Sequence, residues 1–178
     1  MKQLTALLLS AILCLGLLAA CSGSSDPATA EPTAADTTAD PAEEGVFDAG
    51  SFTVTVPEGW LALESGVSDL ALIGKGVTEA DYGDTSKPWI GIEYSTTEHF
   101  DFSNVLDGID TQDLGQMTFG SLTYQVIAIG MDYFKGYDMI ADSSDFSVRV
   151  SIQYHTAFAS ATLDDDDVKA LLSSITLK

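Results

Sequence analysis

The sequence predicts an α+β fold in which a mostly antiparallel sheet packs against helices. Several segments after residue 50 alternate apolar and polar residues with a period of two, which is typical of half-buried antiparallel strands. Short turn sequences join neighbouring segments into hairpins. The last segment changes to a helical period, so we expect at least one helix to cover the sheet.

Lys2 and the amino terminus supply positive charge, and a long apolar run follows from Leu4 to Ala20. This pattern is typical of an export signal. The run ends in Leu18-Ala19-Ala20-Cys21, which resembles the lipobox of bacterial lipoproteins. The resemblance implies a diacylglyceryl group on the Cys21 thiol and cleavage before it, which makes residues 1–20 a lipoprotein signal peptide. An uncleaved membrane anchor and an ordinary secretory signal are the alternatives, and all three place the folded part outside the cytoplasm.

Residues 21–45 are predicted to be the lipidated cysteine and a disordered acidic tether. The segment from Ser22 to Gly45 is rich in Ala, Thr, Pro and acidic residues and has no large apolar side chain, so nothing offsets the entropy of ordering it. Because Cys14 leaves with the signal, no internal disulfide and no multi-cysteine zinc site are expected. Residues 46–178 are enough for a single globular domain with its own core.

The net charge is −20, with 27 acidic residues against 7 basic ones. Such a chain repels nucleic acid phosphates, so we exclude DNA and RNA as partners. It also repels an anionic lipid surface, which would hold the domain away from the membrane to which it is tethered. Solubility is the simplest interpretation of the charge.

The predicted strands follow from alternation and turn residues. Turns are expected at Gly120-Ser121 and Ser143-Ser144-Asp145, and a short helix is expected over residues 102–109. The strand and hairpin segments are residues 51–56, residues 89–94, the hairpin 116–130 and the hairpin 136–154.

The C-terminal segment predicts an amphipathic helix. Val168, Leu171, Leu172 and Ile175 follow the i, i+3, i+4, i+7 spacing of one helix face. The aspartates at 164–167 precede it, where carboxylates accept free backbone N–H groups and meet the positive end of the helix dipole.

Two motifs at the ends of this domain resemble the PsbP-like fold. Phe52–Trp60, an alternating strand followed by Pro57-Glu58-Gly59-Trp60, resembles its opening strand and turn. Asp167–Ile175 is similar to the closing helix and Ser-Ile strand of bacterial lipoproteins with that fold, including the DcrB-like group. The resemblance implies a single PsbP-like domain over 46–178 that binds proteins or supports assemblies, without shared catalytic residues.

Motifs that would support catalysis or cofactor binding are not apparent, so we expect neither an enzyme nor a cofactor. His99 and His155 have no histidine or cysteine at ligand spacing, and Gly-x-Ser-x-Gly and phosphate-loop patterns do not occur. Neither Asp81 and Asp84 nor the series Asp107, Asp110 and Asp113 fits the spacing of a calcium loop. We interpret these acids as solvated surface and expect no metal site.

The strand face opposite the core carries small uncharged polar residues and almost no acid. Partial cover by helices is the expected state, whereas an open face would be a recognition surface whose candidate partner contacts are Trp89, Thr123, Arg149 and Ser151. Trp60 is predicted to lie at an edge of the core. The face consists of Thr53, Thr55, Gly91, Glu93, Ser95, Thr123, Gln125, Ser147, Arg149, Ser151 and Gln153.

Together these observations predict a lipid-anchored extracytoplasmic module that binds or assembles with another envelope protein and has no catalysis of its own. Its membrane contact would be the lipid on Cys21. A carrier of a small molecule or divalent ion is one alternative and requires a concave polar pocket. A hydrolase of envelope polymers is the other, and requires two carboxylates in one cleft, one of them with a raised pKa.

Overall fold

The computed structural model describes residues 45–103 and 109–178, and these contain ten strands, one α-helix and one short 3₁₀ helix. The helices are α1 (Asp166–Ser174) and the 3₁₀ helix Glu79–Asp81. The strands are β1 (Val46–Asp48), β2 (Phe52–Thr55), β3 (Trp60–Glu64), β4 (Leu70–Lys75), β5 (Trp89–Ser95), β6 (Asp110–Phe119), β7 (Leu122–Gly130), β8 (Phe134–Asp142), β9 (Ser147–His155) and β10 (Thr176–Leu177).

All strand pairs are antiparallel and form two sheets. The large sheet has the order β3-β4-β5-β9-β8-β7-β6, and the small one the order β1-β2-β10. In the large sheet β9 pairs with β5 on one side and with β8 on the other. The chain therefore leaves β5 in the middle of the large sheet and re-enters it as β6 at the far edge.

The main core lies between one face of the large sheet, β2 and α1. The sheet contributes Ile90, Val150 and Ile152, whose side chains are fully buried. From β2 come Phe52 and Val54, and from α1 the predicted helix face Val168, Leu171 and Leu172. Alternation thus directs one side of each central strand into the core.

The prediction of an α+β fold is wrong, because the described residues form a β-rich fold in which α1 is the only α-helix. No helix in these two ranges is long and apolar enough to span a bilayer. Strands β1, β3 and β4 were not predicted from the sequence. In β3 and β4 apolar residues run almost without interruption, as in Trp60-Leu61-Ala62-Leu63, and such runs carry no period that distinguishes a strand from a helix.

The predicted strands, the two hairpins and the C-terminal helix are confirmed. Strands β2 and β5 and the two hairpins β6-β7 and β8-β9 occupy the segments assigned by alternation, and α1 occupies the segment with helical spacing. The β6-β7 turn contains Gly120 at φ +57°, a left-handed conformation that glycine adopts without strain. In the helix predicted over residues 102–109, residues 104–108 lie outside the described residues, and Phe102 and Ser103 are not helical.

Trp60 and Lys75 dock the start of α1 onto the edge of the large sheet. Trp60 is buried, as predicted, and its Nε1–H donates to Asp167 Oδ2 at 3.0 Å. Lys75 Nζ lies 2.8 Å from the same oxygen and 5.5 Å from the Trp60 ring centre. Burial raises the pKa of Asp167, but the hydrogen bonds from Lys75 and Trp60 outweigh it and hold the net pKa below its usual value.

The predicted signal peptide of residues 1–20, the predicted lipid attachment residue Cys21 and the tether up to residue 44 lie outside the described residues. Their assignments remain predictions from the sequence.

Candidate functional site

The candidate site is the second face of the large sheet, which points away from the main core. The strand register places Leu72, Gly91, Ser151, Asp138 and Ile127 side by side in one row across this face. Glu93, Arg149, Ile140 and Gln125 form the next row. The predicted polar residues of β5, β7 and β9 therefore do share one face, whereas Thr53 and Thr55 belong to the small sheet.

Arg149, Asp138 and Ser151 form a hydrogen-bonded cluster at the centre of this face. Arg149 Nε donates to Asp138 Oδ1 at 2.9 Å, and Nη2 donates to Oδ2 at 2.7 Å. Ser151 Oγ donates to Asp138 Oδ1 at 3.2 Å. The paired N–H groups of a guanidinium match the two carboxylate oxygens, so this bidentate contact fixes the orientation of both side chains.

The two partners of this ion pair differ in exposure. The Asp138 side chain is 4% exposed, whereas that of Arg149 is 25% exposed. The hydrogen bond to Asp138 raises the pKa of Arg149, against an opposing effect of burial, and Glu93 and Asp101 add to the rise. Arg149 is therefore a fixed cation among carboxylates, and one side of it faces solvent.

Of the four candidate contact residues, the structure brings together only Arg149 and Ser151. Thr123 is exposed on β7, with its hydroxyl 2.9 Å from that of Thr118. Trp89 lies opposite Gln153 on the same face and is half-buried. Its Nε1–H donates to the Asp84 carbonyl oxygen at 2.8 Å, so the polar group of the indole is already bonded within the domain.

Glycine at position 74 makes room for Trp89. A Cβ on Gly74 would lie 2.7 Å from the indole and 2.6 Å from Val77, so the ring packs directly over the glycine backbone. Trp89 thus forms a fixed apolar wall on the second face of the large sheet.

The second face is partly covered, but the described cover is not helical. The backbone N–H of Phe100, in the connection that follows β5, donates to Ser147 Oγ at 3.1 Å. His99 Nδ1 lies 2.7 Å from Asp142 Oδ1, and this contact lowers the pKa of Asp142, with help from Ser147. In the part of the chain that the structure describes, the one α-helix packs into the main core on the other side of the sheet.

Sequence reasoning missed the acid at the centre of the site. Asp138 was not recognised because its importance depends on its position diagonal to Arg149, which only the pairing of β8 with β9 reveals. The face is also less polar than predicted. Leu63, Ile127 and Ile140 are buried there and lie outside the main core cluster.

The predicted acidic clusters are used locally. Asp81 Oδ2 accepts a hydrogen bond from the Thr78 N–H at 2.7 Å, and Asp84 Oδ1 accepts one from the Ser86 N–H at 2.9 Å.

Asp110 and Asp113 are three residues apart on β6, so they point to opposite faces of the strand. Asp107 lies outside the described residues. Over residues 45–103 and 109–178, no three His, Cys, Asp or Glu side chains are placed to hold a metal ion.

No protein-family model matches this chain, and no curated protein matches it. It is similar to a protein of Bacteroides thetaiotaomicron VPI-5482, with a TM-score of 0.46 and 8% identity over 76% of this chain and 49% of that one. The chain thus spans about half the length of that protein. It is also similar to LpqN, described as involved in cell envelope biogenesis of Mycobacterium tuberculosis, with a TM-score of 0.44 and 15% identity over 71% of this chain and 82% of that one. Both TM-scores are below 0.5, so neither similarity assigns a family, and the PsbP-like resemblance stays a prediction.

Proposed function

We propose that this protein is a lipid-anchored envelope module that binds another envelope protein through the second face of its large sheet and does not catalyse a reaction. The anchor is supported by the apolar run that ends in Leu18-Ala19-Ala20-Cys21. A diacyl group supplies two chains, which is enough for stable attachment to a bilayer. The tether then gives the domain reach to a neighbouring protein.

The observation that carries the binding role is the fixed, partly exposed guanidinium of Arg149. Its Nε and Nη2 bond Asp138, and Nη1 makes no hydrogen bond to the described residues, so it can donate to a partner. Arginine is enriched at the energetic centres of protein interfaces. A side chain that is already ordered loses less entropy on binding, so Asp138 increases the value of Arg149 as a contact.

The surroundings of Arg149 fit a protein partner. Ser151 and Gln153 on the same strand are uncharged, and Glu93 lies directly opposite Arg149 on β5. Gln125 and Thr123 lie on β7, two strands away on the same face. Trp89 supplies a rigid aromatic wall at one end. Arginine and aromatic side chains are enriched in protein interfaces, and polar groups are common at the rim.

A hydrolase is less well supported by the described carboxylates. Such an enzyme requires a general acid with a raised pKa. The aspartates whose pKa departs from the usual value, for example Asp101 and Asp142, are all shifted downward among the described residues. They are stabilised as carboxylates and are poor proton donors at neutral pH.

The anchor is tested by metabolic labelling with radioactive palmitate in cells that express the full chain. We expect label on the wild type and none on Cys21→Ala. Cys14→Ala is the matched control, because Cys14 lies within the predicted signal, and it should leave the labelling unchanged. Equal labelling of Cys21→Ala and the wild type would exclude Cys21 as the attachment site.

The binding face is tested by photo-crosslinking in intact cells. Benzoylphenylalanine is placed at Thr123 or Gln153, which are exposed on the second face of the large sheet, and at Thr176, which is exposed on the small sheet. We expect one crosslinked envelope protein of constant mass from the first two positions and none from Thr176. The same products from all three positions would contradict the assignment of the face.

A further inference from the structure

A second exposed surface lies at one end of the large sheet, where the β7-β8 turn meets the loop after β9. The β8-β9 register places Phe134 directly opposite His155. Tyr133 precedes Phe134 in the turn, and Phe158 follows His155 in the loop. We call these four side chains the aromatic cluster.

The rings of the aromatic cluster contact one another around His155. The His155 ring centre lies 4.9 Å from that of Phe158, 5.4 Å from that of Phe134 and 6.1 Å from that of Tyr133. Phe134 and Tyr133 meet edge to face at 5.4 Å. These distances are typical of attractive aromatic pairs, so the cluster is one packed unit.

The outer members of the cluster are nevertheless open to solvent. Phe158 is 64% exposed and Tyr133 is 53% exposed, and Met131 in the same turn is 39% exposed. Large apolar side chains grouped in this way mark interaction sites, whereas single ones are common on any surface. Aromatic rings and methionine are also enriched in protein interfaces.

Backbone contacts hold the two loops in place. Thr156 N–H donates to the Tyr133 carbonyl oxygen at 3.0 Å and thus ties the loop to the turn. Met131 N–H donates to the Phe134 carbonyl oxygen at 2.7 Å, and Phe158 N–H donates to that of His155 at 3.1 Å. The exposed rings are therefore presented on braced loops, which lowers the entropy lost on binding.

We propose that the aromatic cluster docks a basic segment of a protein partner, with a Lys or Arg side chain over the exposed ring faces of Tyr133 and Phe158. The faces of aromatic rings attract cations within about 6 Å of the ring centre. The chain carries a net charge of −20, which draws basic partners toward it and repels acidic ones. The inference extends the proposed binding role to a second surface, with residues distinct from those around Arg149.

The same negative charge disfavours two other possible occupants of the aromatic cluster, an anionic lipid surface and a second copy of this chain. An anionic lipid surface repels an acidic domain, so the rings are poorly placed to insert into it. A second copy of the chain has the same charge of −20, and the two copies repel each other.

The test uses the full chain, solubilised in a neutral detergent, and a short fluorescein-labelled peptide of alternating Lys, Arg and Ala. Fluorescence anisotropy gives the affinity at about 0.3 M salt, where long-range attraction to the acidic domain is largely screened. We expect Phe158→Ala and Tyr133→Ala to weaken binding by about three- to tenfold each. Tyr133→Phe keeps the ring face and should retain most of the affinity.

Tyr82→Ala is the matched control, because Tyr82 is also 64% exposed but has no aromatic neighbour among the described residues. It should bind the peptide as the wild type does. Equal peptide affinity of Phe158→Ala and wild type would overturn the proposal. Binding to phosphatidylglycerol vesicles that depends on Phe158, without peptide binding, would overturn it in favour of a lipid surface. Dimers in sedimentation that depend on Phe158 would overturn it in favour of a second copy of the chain. Because no cell partner or second-face residue enters this assay, its failure leaves the crosslinking result at Thr123 and Gln153 untouched.

Discussion

Arg149 forms a bidentate ion pair with Asp138, its diagonal neighbour across the β8-β9 pair. The Nε–Oδ1 and Nη2–Oδ2 distances are 2.9 and 2.7 Å. The carboxylate is almost fully buried, and the guanidinium remains partly open to solvent. The same ion pair thus stabilises the second face of the large sheet and orients Arg149, the one cation on the central strands of this face. Its energetic role and its binding role can be separated by mutation.

Removing Arg149 should destabilise the fold more than removing the whole pair. Arg149→Met leaves the Asp138 carboxylate buried without its cation, and we expect a loss of about 2–4 kcal/mol of unfolding free energy. Urea denaturation measures it. The double variant Asp138→Leu/Arg149→Met should recover at least half of that loss, because no charge is left buried. Additive losses in the double variant would contradict this account of the pair.

The contact of Asp167 with Lys75 and Trp60 should make the free energy of unfolding depend on pH in the acid range. The folded-state pKa of Asp167 lies below the ordinary value of 3.8. The stabilisation is therefore fully present above pH 3.8 and is lost as the pH falls through the lower folded-state pKa. At neutral pH, Asp167→Asn should cost about 1 kcal/mol.

Asp166→Asn is the matched control for this effect, because Asp166 also lies in the first turn of α1 but is exposed. Both variants lose a charge at the helix start, and only Asp167→Asn loses the contacts with the sheet edge. Thermal unfolding between about pH 2 and pH 7 should show the gap in stability between wild type and Asp167→Asn closing at the acid end. A gap that is constant over this range would refute the linkage.

Gly120 should be intolerant of a side chain because the β6-β7 turn lies against the end of α1. A Cβ there would overlap the Ser173 carbonyl oxygen, and the φ of +57° adds strain. Gly59 also has a positive φ of +80°, but a Cβ there would have no atom within 4 Å. A substitution at Gly59 therefore introduces backbone strain without a steric overlap. We expect Gly59→Ala to cost about 1 kcal/mol and Gly120→Ala at least twice as much. Equal midpoints of the two variants in urea would show that this close approach is unimportant.

Removal of the Tyr124 hydroxyl should not destabilise the fold and is expected to stabilise it. The residue is fully buried, its hydroxyl has no hydrogen-bond partner among the described residues, and burial raises its pKa. A buried hydroxyl without a partner is costly, so Tyr124→Phe should leave the stability unchanged or raise it by about 1–2 kcal/mol. Tyr82→Phe, on the surface, is the control and should change little. A clear loss of stability in Tyr124→Phe would mean that the hydroxyl has a partner after all.

The sequence predicted those parts of the fold that have a distinct period. The alternation of β9 gave the strand, its inner face and the position of Arg149 and Ser151, and the helical spacing of Val168 to Ile175 gave α1. The continuous apolar runs of β3 and β4 were missed because period alone does not separate a buried strand from a helix. The α+β prediction failed because it expected a layer of helices on the sheet, whereas α1 is the only α-helix among the described residues.

The sites depend on strand register, which alternation does not specify. Asp138 and Arg149 are 11 positions apart in sequence, and Phe134 and His155 are further apart still. Only the pairing of β8 with β9 brings each set together. A polar residue in a strand can be assigned to a face from sequence, but its neighbour on the next strand requires the register.

The role of the Arg149 guanidinium in partner binding is measured by the yield of the photo-crosslinked partner at Gln153 when Arg149 is changed to Lys. Lysine keeps the charge but loses the bidentate fit to Asp138 and the remaining guanidinium donor. We expect the yield to fall about tenfold at equal protein level. An unchanged yield from the folded Arg149→Lys variant would contradict it.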